Sequence, residues 1–331
     1  MISVCPIARE VILPGIIFRM DRAHISALVA GAVGAVIIAF SAIFVRLADV
    51  APSVAAVYRC AYAIPLLIPI VVMEIRREGR PDRRAITAAT IAGVWFAMDL
   101  VCWHISIGAV GAGLATVLAN MQVVLIGLLA FVLPAQHITR RELAAIPIVM
   151  VGVLLIAGVL GTSVWGGHPT LGAITGLVTA ASYTGFLLMM RRATPNPQAQ
   201  AAPLLIATAV ACACSLLVVP FERGASLAPT WPAHGWLVLL ATTCQVLAWL
   251  LIARSLARLR PVVMSLLLTI QPIGSMVLGA IVLGERPAAA QLLGAALIVG
   301  AIILAVIGRQ PPGSARIHSP THAEPAPVSP D

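Results

Sequence analysis

Apolar residues fall into ten long runs divided by short polar linkers. An apolar run of roughly 20 residues can cross a hydrocarbon core of about 30 Å as a helix. The pattern predicts spans at 25–46, 53–73, 85–107, 112–133, 142–161, 171–190, 201–220, 235–253, 261–283 and 290–308. The linkers are too short for anything but antiparallel neighbours. The expected fold class is an all-α integral membrane protein of ten transmembrane helices.

Arginine placement orients the helices. With the N terminus inside, seventeen arginines fall on the inner side, in clusters such as Arg76, Arg77, Arg80, Arg83 and Arg84. Only Arg46, Arg223 and Arg286 fall outside, and Arg59 lies within a span. An excess of arginine in cytoplasmic linkers is the strongest orientation signal in a membrane chain. It also supports the helix count, since one span missed or added would scramble the alternation. Both termini are therefore expected in the cytosol of a bacterial-type cytoplasmic (inner) membrane.

Composition agrees with a membrane solvent. Of the 331 residues, 60% are hydrophobic and 10% charged, against about half and about a quarter in soluble domains. The formal charge of +9 does not mark a nucleic-acid binder. All 21 basic residues are arginines set between apolar runs, not along one polar face. The six cysteines form no metal or disulfide framework, and Cys212 and Cys214 point to nearly opposite sides of a helix. No cofactor, metal or catalytic motif is expected.

The ends read differently from the middle. Residues 1–24 are expected to be a cytosolic N-terminal segment, with Met20 an equally good start. Its apolar stretch Val11–Phe18 is too short to span and contains Pro14. Residues 309–331 hold six prolines and few apolar groups, and are expected to be a disordered cytosolic tail.

The middle repeats. Leu133-Pro134-Ala135-Gln136-His137-Ile138-Thr139-Arg140-Arg141-Glu142-Leu143 reads like Leu283-Gly284-Glu285-Arg286-Pro287-Ala288-Ala289-Ala290-Gln291-Leu292-Leu293, and a Val-Gly pair follows each at Val151-Gly152 and Val299-Gly300. The offset is about 149 residues. Five spans separate the copies, so they lie in opposite orientations: repeats at 25–161 and 162–308, inverted as in many transporters.

The second copy, with Ser265, Gln271-Pro272, Leu283-Gly284-Glu285-Arg286 and Gln291 to Ile298, resembles the signature of EamA-type members of the drug/metabolite transporter superfamily. Ala56-Val57-Tyr58-Arg59 and Asp99 to His104 are similar to first-half segments of that family. Asn120-Met121-Gln122 stands where a proline is expected, and Gln136 where a glutamate is. The resemblance implies ten helices, a central cavity, and export of amino acids or related metabolites.

Ionisable groups in a span cost roughly 2.5–3.5 kcal/mol at the centre and so need a partner or a purpose. At about 1.5 Å per residue, Arg59, Asp99, Asn120, Gln245 and Gln271 fall on five helices within one layer, from the outer third to the midplane. They are the candidate cavity, with Arg59 suited to a substrate carboxylate and Asp99 to an amine or a coupled proton; Asn120, Gln245 and Gln271 are equally suited to hydrogen bonds between helices. The competing reading is a structural Arg59–Asp99 pair that pins two helices. Trp95, Asp99 and Trp103 share a helix face, which suits an organic cation or an aromatic substrate. Trp95 is the indole that the interfacial belt explains least. Trp103, Trp231, Trp236, Trp249 and His104 are expected at the interface.

Pro65, Pro69 and Pro272 are candidate bends or gates, and Glu285 a candidate helix cap. Gly172 and Gly176 should allow close helix approach within one chain. The expected function is secondary transport, as an exporter, of a small metabolite such as an amino acid or amine, driven by an ion gradient, with a proton carried by Asp99 one candidate, or by the substrate's own gradient. A non-transporting sensor or subunit is the alternative; an intramembrane enzyme lacks any recognised motif. The expected partners are the substrate and the bilayer, in a monomer or homodimer without nucleic acid.

Overall fold

A computed structural model describes residues 11–13, 16–18, 22–132, 138–156, 168–282 and 288–306. Its helices are α1 (Arg22–Ala48), α2 (Pro52–Glu78), α3 (Arg83–Asn120), α4 (Gln122–Val132), α5 (Arg140–Ile156), α6 (Pro169–Ala193), α7 (Ala201–Val218), α8 (Ala233–Leu239), α9 (Trp249–Leu256), α10 (Pro261–Leu268), α11 (Ile270–Val282) and α12 (Ala289–Val306). A π-helix, Leu240–Ala248, joins α8 to α9. Val11–Leu13 and Ile16–Phe18 pair as a short antiparallel ribbon. The ribbon lies in the N-terminal segment, outside the predicted spans, and every other described element is helical, in keeping with the all-α expectation for the membrane part. Glu285, Cys5 and the 309–331 tail lie outside the described residues.

Among the described residues, eight segments are long and apolar enough to cross a membrane: Arg22–Ala48, Pro52–Glu78, Arg83–Ser106, Thr170–Ala193, Ala201–Phe221, Ala233–Leu256, Pro261–Val282 and Ala289–Val306. Val117–Ala130 is apolar but shorter, and α5 is a 17-residue helix that begins with Arg140, Arg141 and Glu142. Local chemistry sets the ends. Pro52 opens α2, where its missing N–H costs nothing. Gly79 ends it at φ 85°, a backbone that favours glycine. Asp82 caps α3 by accepting from the Ala85 amide at 2.7 Å.

Although helical hydrogen bonding runs through Arg83–Asn120, α3 is not one rod. A Cβ placed on Gly176 would lie 2.6 Å from Leu118 Cβ and 3.1 Å from Ser106 Oγ. Twelve residues of straight helix would hold those two side chains about 18 Å apart. The chain therefore reverses between Ser106 and Leu118, close to the boundary expected between the spans at 85–107 and 112–133. Gly172 and Gly176 of α6 make that possible by letting Val110 and Leu118 press onto bare backbone. The close approach is intramolecular, as expected.

The helix that resumes after the reversal is interrupted at Met121, between α3 and α4, and the span at 261–283 is interrupted at Thr269, between α10 and α11. The two breaks lie at repeat-matched positions. Pro272 accounts for the second, since its ring clashes with the carbonyl four residues earlier, at Leu268. It thus begins a helix rather than bending one. Pro65 and Pro69 interrupt nothing: α2 is continuous through both.

The repeat symmetry also shows in a pair of caps. Glu74, near the end of α2, accepts from the backbone amides of Ala201 (2.7 Å) and Ala202 (2.8 Å) at the start of α7. Glu222, just past α7, accepts from the Ser53 amide (2.9 Å) at the start of α2. Each carboxylate satisfies orphan donors and faces the positive end of the other helix dipole. The two helices run antiparallel and are fastened at both ends. Glu74→Ala and Glu222→Ala should each cost about 1–2 kcal/mol and add in the double variant, since the sites are far apart. Thermal unfolding in detergent checks this; an unchanged midpoint in both would show that the caps contribute nothing.

α5 and α12 pack with bare backbone against bare backbone. A Cβ on Gly152 would lie 2.8 Å from the Gly294 carbonyl oxygen, and one on Gly294 would lie 2.6 Å from that of Gly152. Membrane helices associate through such small-residue contacts because lipid offers no hydrophobic drive between them.

Candidate functional site

The central polar cluster is built around Arg59. It is 5% exposed, carried by α2 in the middle of the helix bundle. Its Nε donates to Gln245 Oε1 at 2.8 Å and its Nη1 to Ser41 Oγ at 3.2 Å. The guanidinium carbon sits 5.6 Å from the centre of the Phe96 ring, a cation–π contact. Gln245 lies on the π-helix, a local widening often found at functional positions, and its Nε2 donates onward to Thr208 Oγ1 at 3.1 Å. Thr208 is the position in the second repeat that matches Arg59. Gln245 therefore bridges the two related positions.

Gln245 does not line a cavity: it is fully buried, with its amide committed to Arg59 and Thr208. Of the two roles the sequence left open for it, this is the hydrogen-bond link between helices. Ser41, Phe96 and Thr208 are the residues that sequence reasoning missed. Thr208 was findable by carrying Arg59 across the repeat offset; Ser41 and Phe96 had no signal of their own.

Asp99 is 9% exposed and makes no hydrogen bond or ion pair to any described residue. The opposite charge that acts on it is that of Arg59, but neutral partners, not Asp99, hold the guanidinium. A structural Arg59–Asp99 salt bridge is thus not what secures these helices. Two charges share one buried layer without closing on each other.

The aromatic groups divide in two. Trp249, expected at the interface, is 1% exposed and packs between Phe96 (5.8 Å) and Phe186 (4.7 Å), with Phe96 and Phe186 stacked at 4.6 Å. That is a correction, and its cause is helix rotation: at position 249 the helix turns its face to α3 and α6. Trp231, by contrast, is 84% exposed, as a belt residue is. Trp95 is half-buried and lies flat on the backbone of Gly185, at 2.8–3.0 Å from where a Cβ would stand. It fills the groove between α3 and α6 while Asp99 sits one turn away.

His104 also departs from the interfacial expectation. It is 7% exposed, with Nδ1 donating to the Leu100 carbonyl at 2.7 Å. Its Nε2 is buried without a partner among the described residues, as are Gln122 Oε1, Thr179 Oγ1 and Ser182 Oγ. The antiparallel pairing of α3 and α6, through Trp95 with Gly185 and Ser106 with Gly176, sets Thr179 and Ser182 level with Asp99. Buried polar atoms are nearly always satisfied, so this layer is suited to water or a small polar ligand. Asn120 and Gln271, both half-buried, flank the breaks at Met121 and Thr269.

A family model described as "EamA-like transporter family" matches the chain twice, over residues 25–158 and 170–307. A solved structure titled "Crystal structure of protein" superposes with a TM-score of 0.71 at 17% sequence identity, covering 85% of this chain and 98% of its own. At that identity the likeness concerns the fold alone. No curated protein matches the chain in sequence.

Proposed function

The chain belongs to the EamA-like transporter family, and on that premise we propose that it is a secondary active transporter that exports a small carboxylate-bearing metabolite such as an amino acid. The observation that carries this reading is the charge layout at the centre. Arg59 and Asp99 are both buried, and neither neutralises the other. A carboxylate on the ligand pairs with Arg59, and binding replaces the lost hydration of that charge. Lone buried charges are otherwise an unrelieved cost.

The matched breaks at Met121 and Thr269 support alternating access. Inverted-repeat transporters place their sites beside discontinuous helices, whose ends supply ligand-facing backbone groups. Asn120 and Gln271 bracket these ends from the two repeats. In this reading the chain makes ten crossings, pairs Val117–Ala130 with α5 to complete the first repeat, and keeps both termini in the cytosol. Asp99 carries the coupled proton. The substrate is found by comparing metabolite accumulation in deletion and overexpression strains; a metabolite retained on deletion and depleted on overexpression is the expected signature.

Orientation has its own test. Single cysteines at Gly79 and Asn196, in a background without the native cysteines, should resist impermeant thiol reagents in intact cells. One at Gly167 should react. Labelling of position 79 or 196 from outside would overturn the orientation.

A further inference from the structure

Glu142 opens α5 in a side-chain cap that uses only half of its carboxylate. Oε2 accepts from the Thr139 amide (2.9 Å) and hydroxyl (3.0 Å), while the Glu142 amide donates to Thr139 Oγ1 (3.3 Å). The other oxygen, Oε1, pairs with Arg260 Nη2. Glu142 is fully buried and Arg260 is 34% exposed. Arg260 directly precedes α10, in the linker 257–260 of the second repeat. That linker is held again by Arg191, whose Nη1 donates to the Leu259 carbonyl. The charged groups facing the pair are thus Arg191 from α6 and, along α5 itself, Arg140 and Arg141.

Inverted repeats put matched positions at opposite ends of the bundle. At the offset of about 149 residues, Glu142 corresponds to Gln291 and Arg260 to Gly111. Gln291 keeps the capping half of the role, since its Oε1 accepts from the Ala288 amide at 2.9 Å. Its Nε2 donates to the Ile156 carbonyl at 2.9 Å. Gly111 has no side chain. A capping box works equally well with Gln or Glu, so capping does not explain the charge at 142. Among the described residues, the ion pair is the part that only one end possesses.

We propose that Glu142 and Arg260 form a one-sided latch that closes the cytosolic entrance and makes the outward-facing state the resting state. The inference rests on the alternating-access reading above. The two states of an inverted-repeat transporter exchange the roles of the repeats, so contacts common to both ends cancel between states. A contact made at one end only adds to one state and shifts the population toward it.

The experiment uses the full chain without its native cysteines, reconstituted in liposomes, with one reporter cysteine at a time. Ser265→Cys sits fully buried in α10, near the latch; Met121→Cys sits half-buried at the central break. Glu142→Gln keeps the cap and removes the charge, and Arg260→Gln removes the partner. Each should raise thiol-reagent labelling of position 265 from the cytosolic side roughly fivefold or more, a common size for coupling between states. Each should also slow labelling of position 121 from the outer side. The exchanged pair, Glu142→Arg with Arg260→Glu, should restore both rates, and it remains informative if a single variant misfolds. Unchanged labelling of 265 in folded Glu142→Gln and Arg260→Gln would overturn the latch. Faster labelling of 265 with no slowing at 121 would instead refute alternating access, and the latch with it.

Discussion

Asp99→Asn should insert and fold at close to wild-type yield, yet lose gradient-driven transport altogether. The folding half follows from Arg59, whose guanidinium is held by Gln245, Ser41 and Phe96 and does not depend on the Asp99 carboxylate. Breaking a true buried ion pair would cost about 3–5 kcal/mol; here no such pair is lost. The transport half follows because the amide mimics a permanently protonated acid at nearly the same volume. Exchange of substrate at equal concentrations on both sides should persist, while proton-driven accumulation disappears. Full pH-dependent accumulation by well-folded Asp99→Asn would end the proton-carrier assignment. Loss of folded yield, rescued by Arg59→Gln, would restore the structural-pair reading instead.

The second large effect concerns the brace behind Arg59. Gln245→Leu removes the acceptor of Arg59 Nε and the donor to Thr208 at once. Leaving a buried charged donor without a partner should cost about 3 kcal/mol or more, seen as a lower thermal midpoint and reduced yield. Gln245→Glu separates stability from function. It keeps the acceptor to Arg59, so the fold should survive, but it places a carboxylate where the guanidinium should remain free for ligand. Apparent KM for a carboxylate-bearing substrate should then rise about tenfold, which corresponds to roughly 1.4 kcal/mol of binding. The turnover rate should change far less. An unchanged KM in the folded variant would show that Arg59 does not contact the substrate.

Much of the architecture is legible in the sequence because the bilayer imposes one rule, that every span satisfies its own backbone. Length of apolar run then sets helix positions within a few residues, and even the reversal between Ser106 and Leu118 falls near the expected boundary. The pairing of Val11–Leu13 with Ile16–Phe18 was not legible, since two apolar triplets fit several short structures. Depth along a helix was also readable, and Arg59 and Gln245, placed in one layer by counting residues, do meet. Rotation was not. Trp249 and His104 lie near span ends by counting, yet the helix turns both inward; no apolar periodicity marks a buried face when lipid-facing and core-facing residues are equally greasy. The caps from Glu74 and Glu222 join positions 127 and 169 residues apart in sequence, visible only once the repeat offset is applied to acidic residues at span ends.

The central claim is that this chain moves a ligand held by Arg59 across the membrane, with Asp99 carrying the coupled proton. The most direct test is counterflow in proteoliposomes with the metabolite singled out by the accumulation screen. Liposomes preloaded with unlabelled compound should take up labelled compound transiently above equilibrium. Arg59→Gln should abolish that overshoot, whereas Asp99→Asn should keep it. Saturable binding of the same compound with no overshoot in the wild-type protein would contradict the transport account and leave a membrane sensor in its place.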